Sequence, residues 1–173
     1  MFDTAHKGLS RLATVFAYLA MLAMVLMAFH VFGNVVVRIL TRRDIAGTLE
    51  IVTYYYMVAL VFLPMAFVEQ AGGHIRADLL ARYISKGLGT VIEVVMQIAM
   101  AVFFALLGWE AVGSAIEQTG RGEVIQGGGG LFIVWPARWM LPVGLALAAL
   151  YALMLAVDAV RGSPHSRHIP TEV

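Results

Sequence analysis

The chain has 173 residues, 61% of them hydrophobic and 13% charged, with a formal net charge of +1 and no cysteine. A water-soluble domain carries about 25% charged residues, so this composition excludes one and calls for a lipid bilayer as solvent, and no nucleic-acid partner is expected from so small a net charge. Without cysteine there is no disulfide framework, no thiolate metal site and no thiol nucleophile.

Four apolar segments, at 12–37, 49–68, 91–115 and 135–160, are each long enough to cross a hydrocarbon core of about 30 Å at about 1.5 Å per residue. They predict an all-α membrane protein, one four-helix membrane domain over 1–173, with an interfacial amphipathic helix between helices two and three. The first segment follows His6, Lys7 and Arg11, as the apolar stretch of a signal peptide would. Its roughly 26 residues exceed the 7–15 of such a stretch, so it reads as a retained helix. Met21, Met24 and Met27 are read as adaptable packing or lipid contact. His30, Asn34 and Arg38 recur every four residues and share one face, which should look at protein and not at lipid.

The short connection 38–48 makes helices one and two an antiparallel hairpin, and Arg38 and Glu50, at the same end, are expected to pair across it. Thr53, Tyr54, Tyr55 and Tyr56 form an aromatic cluster of the kind found at headgroup level, and Pro64 is expected to kink helix two. Gly72 and Gly73 should end that helix. Over 75–88, Leu79, Leu80, Tyr83, Ile84 and Leu88 share a broad apolar arc opposite Asp78, Arg82, Ser85 and Lys86, the pattern of a helix lying in the membrane plane. Asp78 is expected to cap it or pair with Arg82, and Gly87 and Gly89 to separate it from helix three.

In helix three, Glu93 and Gln97 mark a protein-facing side, and Glu110 is expected to meet Arg138 at the start of helix four. The connection between them holds Gly127, Gly128, Gly129 and Gly130. A phosphate loop needs Lys and Ser/Thr directly after its glycines, whereas Leu131, Phe132, Ile133 and Val134 follow here, so nucleotide binding is rejected. The glycines are read as a flexible outer loop, and 131–139 as an apolar, Trp-flanked return to the interface.

Orientation follows from Lys and Arg in the short loops. With the N-terminus cytoplasmic, the inner side holds Lys7, Arg11, Arg76, Arg82, Lys86, Arg161 and Arg167, against Arg38, Arg42, Arg43, Arg121 and Arg138 outside, which favours both termini cytoplasmic. Arg42 and Arg43, retained against that bias, suggest a contact with something acidic on the translocated side.

Catalysis and cofactors find little support. His30 is the one histidine well inside a helix, too few for a two-histidine haem site, and the His and carboxylate spacing offers no converging metal ligands. No nucleophile–base pair stands out, so neither an enzyme nor a cofactor is expected. An autonomous exporter would need a carboxylate near mid-membrane, and by position along the sequence every carboxylate lies toward a helix end or in a loop.

Arg38 ending helix one, Glu50 opening helix two, and Gly72, Gly73, His74, Ile75, Arg76, Ala77 and Asp78 closing it resemble the small membrane subunit of tripartite ATP-independent periplasmic (TRAP) transporters. The turn matches that family at Gly73, His74, Ile75 and Asp78, and Trp135, Pro136, Trp139, Leu141, Pro142, Val143 and Gly144 resemble its aromatic stretch leading into Leu-Pro-x-Gly. Glu69 and Gln70, where small or basic residues are common, and the tetraglycine depart from the pattern. The resemblance implies a scaffold subunit of an ion-driven, usually sodium-driven, importer of organic acids in the bacterial inner membrane. Its partners would be a large elevator-type membrane subunit and a periplasmic substrate-binding protein. His30, Asn34 and Arg38 would then face the partner subunit, and Arg42 and Arg43 the binding protein. The competing readings are an assembly subunit of another membrane complex and an autonomous four-helix exporter.

Overall fold

The computed structural model describes residues 2–71 and 86–161. Four stretches of helix long and apolar enough to cross a membrane occupy His6–Thr41, Thr48–Gln70, Gly87–Arg121 and Trp135–Arg161, so the chain is an all-α membrane protein. The remainder of the expected amphipathic segment, 75–85, lies outside the described residues, as do Gly73, His74, Ile75 and Asp78.

Helix one is the single helix α1, Phe2–Thr41. Helix three, here α5, runs unbroken over Lys86–Arg121. Both overshoot the apolar segments, because hydropathy marks what lies in lipid whereas backbone hydrogen bonding continues through the polar turns beyond. Gly87 and Gly89, expected to break the chain before helix three, lie inside α5. A helical glycine costs only about 1 kcal/mol relative to alanine, too little to stop a long helix that already has its nucleus.

Helix two is built in pieces: α2 (Thr48–Ile51), a π-helical turn over Val52–Tyr56, α3 (Met57–Phe62) and α4 (Met65–Gln70). The break between α3 and α4 falls at Pro64, as expected, since proline has no N–H to offer the Leu60 carbonyl. Leu63 N still reaches Ala59 O at 3.2 Å and Val68 N reaches Pro64 O at 3.0 Å, so the ladder resumes on either side. Helix four starts as the short turn α6, Trp135–Arg138, with Pro136 in its first turn, and continues after Trp139 as α7, Met140–Arg161. Pro142 supplies a physical cause for that offset, because it leaves the Arg138 carbonyl without its helical donor.

The most buried helix is α7, with α5 packed along it and α3 and α4 against another side. Phe104 and Ala111 of α5 meet Leu145, Ala148 and Ala149 of α7, flanked by Met65, Met100 and Leu141. Ala101, Gly108 and Ala115 continue the buried stripe of α5. In lipid no water is expelled when helices meet, so small residues that allow close approach and dispersion contact drive this packing. Gly144 is the extreme case: a Cβ there would run into the Phe62 carbonyl just before the proline break.

The connection expected as a flexible loop is an antiparallel hairpin, β1 (Val124–Gly127) and β2 (Gly130–Ile133), with Val124 opposite Ile133 and Gln126 opposite Leu131. Gly128 and Gly129 form the two-residue turn, and Gly130 takes φ 141°, which glycine adopts without a side-chain clash.

Candidate functional site

At the end of the bundle that carries the hairpin, the polar stripe of α1 is folded onto its own chain. Asn34 Oδ1 accepts Ile45 N at 2.6 Å, and Asn34 Nδ2 donates to Asp44 Oδ1 at 3.3 Å. Arg38 Nε lies 3.5 Å from the same Asp44 oxygen. His30 Nε2 sits 3.4 Å from Thr48 Oγ1, which itself donates to Ile45 O at 3.0 Å, and the His30 ring meets Tyr56 edge-on. The three side chains lie along one side of α1 and hold the turn between helices one and two, with Arg38 itself exposed.

That turn opens with Arg42 in a left-handed conformation (φ 56°), its N–H returning to Arg38 O at 2.8 Å, the usual way to close a helix C-terminus. Thr41 Oγ1 donates to Val37 O at 2.8 Å and accepts Arg43 N at 3.3 Å. Arg42 and Arg43 are exposed, and neither guanidinium has a partner among the described residues.

Both expected hairpin pairs are rearranged. Glu50 does not meet Arg38; its Oε1 accepts Gly128 N at 2.9 Å, so it grips the tip of the β-hairpin. Gly127 presses on the same carboxylate, and the Phe132 ring lies on Gly47, whose φ of 84° and missing side chain accommodate it. Tyr55 OH donates to Ile133 O at 2.8 Å, fixing the base of the hairpin against helix two. Arg138 does not meet Glu110; it makes a two-pronged contact with Glu123, Nε to Oε2 at 2.9 Å and Nη2 to Oε1 at 2.7 Å. These hydrogen bonds hold the Glu123 carboxyl below its ordinary pKa, outweighing the opposing effect of desolvation. Trp139 Nε1 donates to Thr119 Oγ1 at 3.0 Å, closing the seam between α5 and helix four. Glu110 is left exposed, with no hydrogen bond or ion pair among the described residues.

A second polar cluster, not anticipated from sequence, lies at the opposite end. His6 Nε2 is 3.4 Å from Asp158 Oδ2, and the His6 ring stands edge-on to Tyr151. Gln70 Nε2 donates to Ser10 Oγ at 2.7 Å, and Glu69 is fully buried beside it. Glu69 and Gln70, the residues that depart from the family pattern, are thus in contact with other helices and not loop decoration. A signal was present: Asp158 is an acidic residue inside the last apolar turn of segment four, and such a residue must find a partner.

Chemically, the arrangement fastens helices together. Glu93 and Gln97 are half-buried on the α5 face that meets α7. Among the described residues no group of three His, Cys, Asp or Glu side chains converges to hold a metal ion. A groove of about 390 Å³ beside the proline break is lined by Tyr18, Met21, Met24, Leu60, Pro64 and Phe67, with apolar walls and no set of ligating groups.

No curated protein and no solved structure matches the chain significantly. Residues 27–162 match the family described as tripartite ATP-independent periplasmic transporters, DctQ component. That match covers the hairpin end, the proline-broken helix two and the α5–α7 core, and with four spanning helices it makes this multi-pass membrane protein a member of the DctQ family, the small membrane component of TRAP transporters.

Proposed function

We propose that the chain is the static scaffold subunit of a TRAP importer for organic acids, working with a large elevator-type membrane subunit and a periplasmic substrate-binding protein. Transport is driven by an ion gradient, with sodium the coupling ion, and the complex resides in the bacterial inner membrane with both chain termini cytoplasmic. The observation that carries this reading is the family match over residues 27–162. The architecture is in keeping with it: the side chains that span helices are used as fasteners, and an anchor needs rigid helices and interface aromatics and no substrate ligands of its own. In this orientation the hairpin end faces the periplasm, where the exposed Arg42 and Arg43 present positive charge to an acidic patch on the binding protein.

Uptake in proteoliposomes tests the proposal. Large subunit, this chain and binding protein together should accumulate a labelled carboxylate under an inward sodium gradient, and leaving out this chain should abolish it. Unchanged uptake without the chain contradicts a required scaffold, and accumulation by the chain alone would make it an autonomous transporter.

A further inference from the structure

Glu110 sits much deeper than its place near the end of the apolar segment 91–115 suggests. Two contacts set its level. Gly108 faces Leu145, and the neighbouring Gly144 abuts the Phe62 carbonyl. Along helix two, Phe62 is about 21 Å from Thr48 and about 12 Å from Gln70; along helix four, Gly144 is about 14 Å from Trp135 and about 26 Å from Arg161, at 1.5 Å per residue. Glu110 lies two residues beyond Gly108, and side chains on a helix incline back toward its N-terminus, here toward Gly108. Helix two puts this level inward of its midpoint and helix four puts it outward of its own, so the two routes bracket the centre of a core about 30 Å thick.

It also points away from the rest of the chain. The buried stripe of α5 runs through Ala101, Phe104, Gly108, Ala111 and Ala115. At 100° per residue, Glu110 falls on the opposite side, with Leu106, Gly113 and Glu117, and the highly exposed Trp109 flanks it. Glu117 is compensated by Arg121 one turn on, with Arg121 Nη2 2.6 Å from Glu117 Oε1. Glu110 has no such partner among the described residues. A carboxylate at this depth facing lipid is costly, so intramembrane acids face protein and meet a donor. Beside it, Gly113 has open space over its Cα, room for a second helix to come close.

Resting on the scaffold-subunit reading above, we infer that the Leu106–Trp109–Glu110–Gly113 face of α5 is the seat of the large membrane subunit, through a helix that brings a hydrogen-bond donor, cationic or neutral, to Glu110 at mid-membrane. This face takes the role that the sequence pattern assigned to His30, Asn34 and Arg38, whose polar groups are engaged within the chain.

The test uses the chain co-expressed with its large subunit in native membranes. A photo-crosslinking amino acid is placed at Trp109 or Gly113, and as a control at the exposed Phe29 of α1. Adducts with the large subunit are expected from 109 and 113 and not from 29. Glu110→Gln should weaken co-purification about fivefold, the scale of one interhelical polar contact in lipid, while leaving the thermal unfolding of the isolated chain unchanged. Adducts with the large subunit only from 29, adducts only between copies of this chain, or undiminished co-purification of Glu110→Gln would each overturn the inference and leave the scaffold reading standing. Failure to recover any large subunit with the unsubstituted chain would overturn both.

Discussion

Asn34 shows what a single polar side chain in this chain is for. Its amide satisfies Ile45 N and Asp44 at once, and truncation removes both hydrogen bonds from the turn. Asn34→Ala is expected to lower stability by about 1 kcal/mol, measured by thermal or denaturant unfolding in a mild detergent. Glu123 adds a pH dependence with a definite sign. Arg138 holds its carboxyl below the ordinary carboxylate range, so the pair's contribution is complete above that range and disappears as pH falls through the lowered value. Glu123→Gln should therefore be less stable than the parent by under about 1 kcal/mol at neutral pH, with the gap closing in acid. At this scale the sequence was legible in one direction only. Four-residue spacing placed His30, Asn34 and Arg38 on one face, but their partners depend on how the chain turns through the left-handed Arg42, which no periodicity encodes. The depth inferred for Glu110 departs from its place along the sequence for a related reason: a residue count along one helix ignores how neighbouring helices are staggered, which the contacts of Gly108 and Gly144 report.

Among the elements, the broken helix two and the β-hairpin explain one another. The proline break brings the Phe62 carbonyl against helix four, and Gly144 is the residue that admits it. Gly144→Val has to part α7 from α3, and because the obstacle is backbone it cannot be relieved by a rotamer change. A loss of about 2–3 kcal/mol, typical of overpacking a tight contact, is expected in the same unfolding assay, against a near-neutral outcome at an open position such as Gly113→Ala. The kink at Pro64 was readable from the sequence because proline acts locally. The hairpin was not, although a Gly-Gly turn between Val124–Gln126 and Leu131–Ile133 carries the right composition. Its order depends on Glu50 and Tyr55, 78 residues away from the groups they hold, so the tetraglycine looked flexible until helix two was in place beside it.

For the molecule as a whole, helix length and apolarity made the four-span architecture legible, and the order of short motifs pointed to the family that residues 27–162 match. The tight hairpin end and the polar ties at the opposite end fasten the helices to one another, in keeping with the proposed scaffold role. The proposed contact of Arg42 and Arg43 with the binding protein belongs to this scale, since it acts between molecules. Reversing both charges, Arg42→Glu with Arg43→Glu, should reduce uptake most at low ionic strength and flatten its salt dependence, because exposed charges act over a Debye length of about 10 Å at 0.1 M salt. Equal uptake by parent and variant at every salt concentration would remove that contact from the account. The most direct test of the central claim is the mass of the complex released into nanodiscs from native membranes through a tag on this chain. A stoichiometric complex with one large polytopic subunit is the predicted result, and recovery of the chain alone or as a dimer of itself would contradict it.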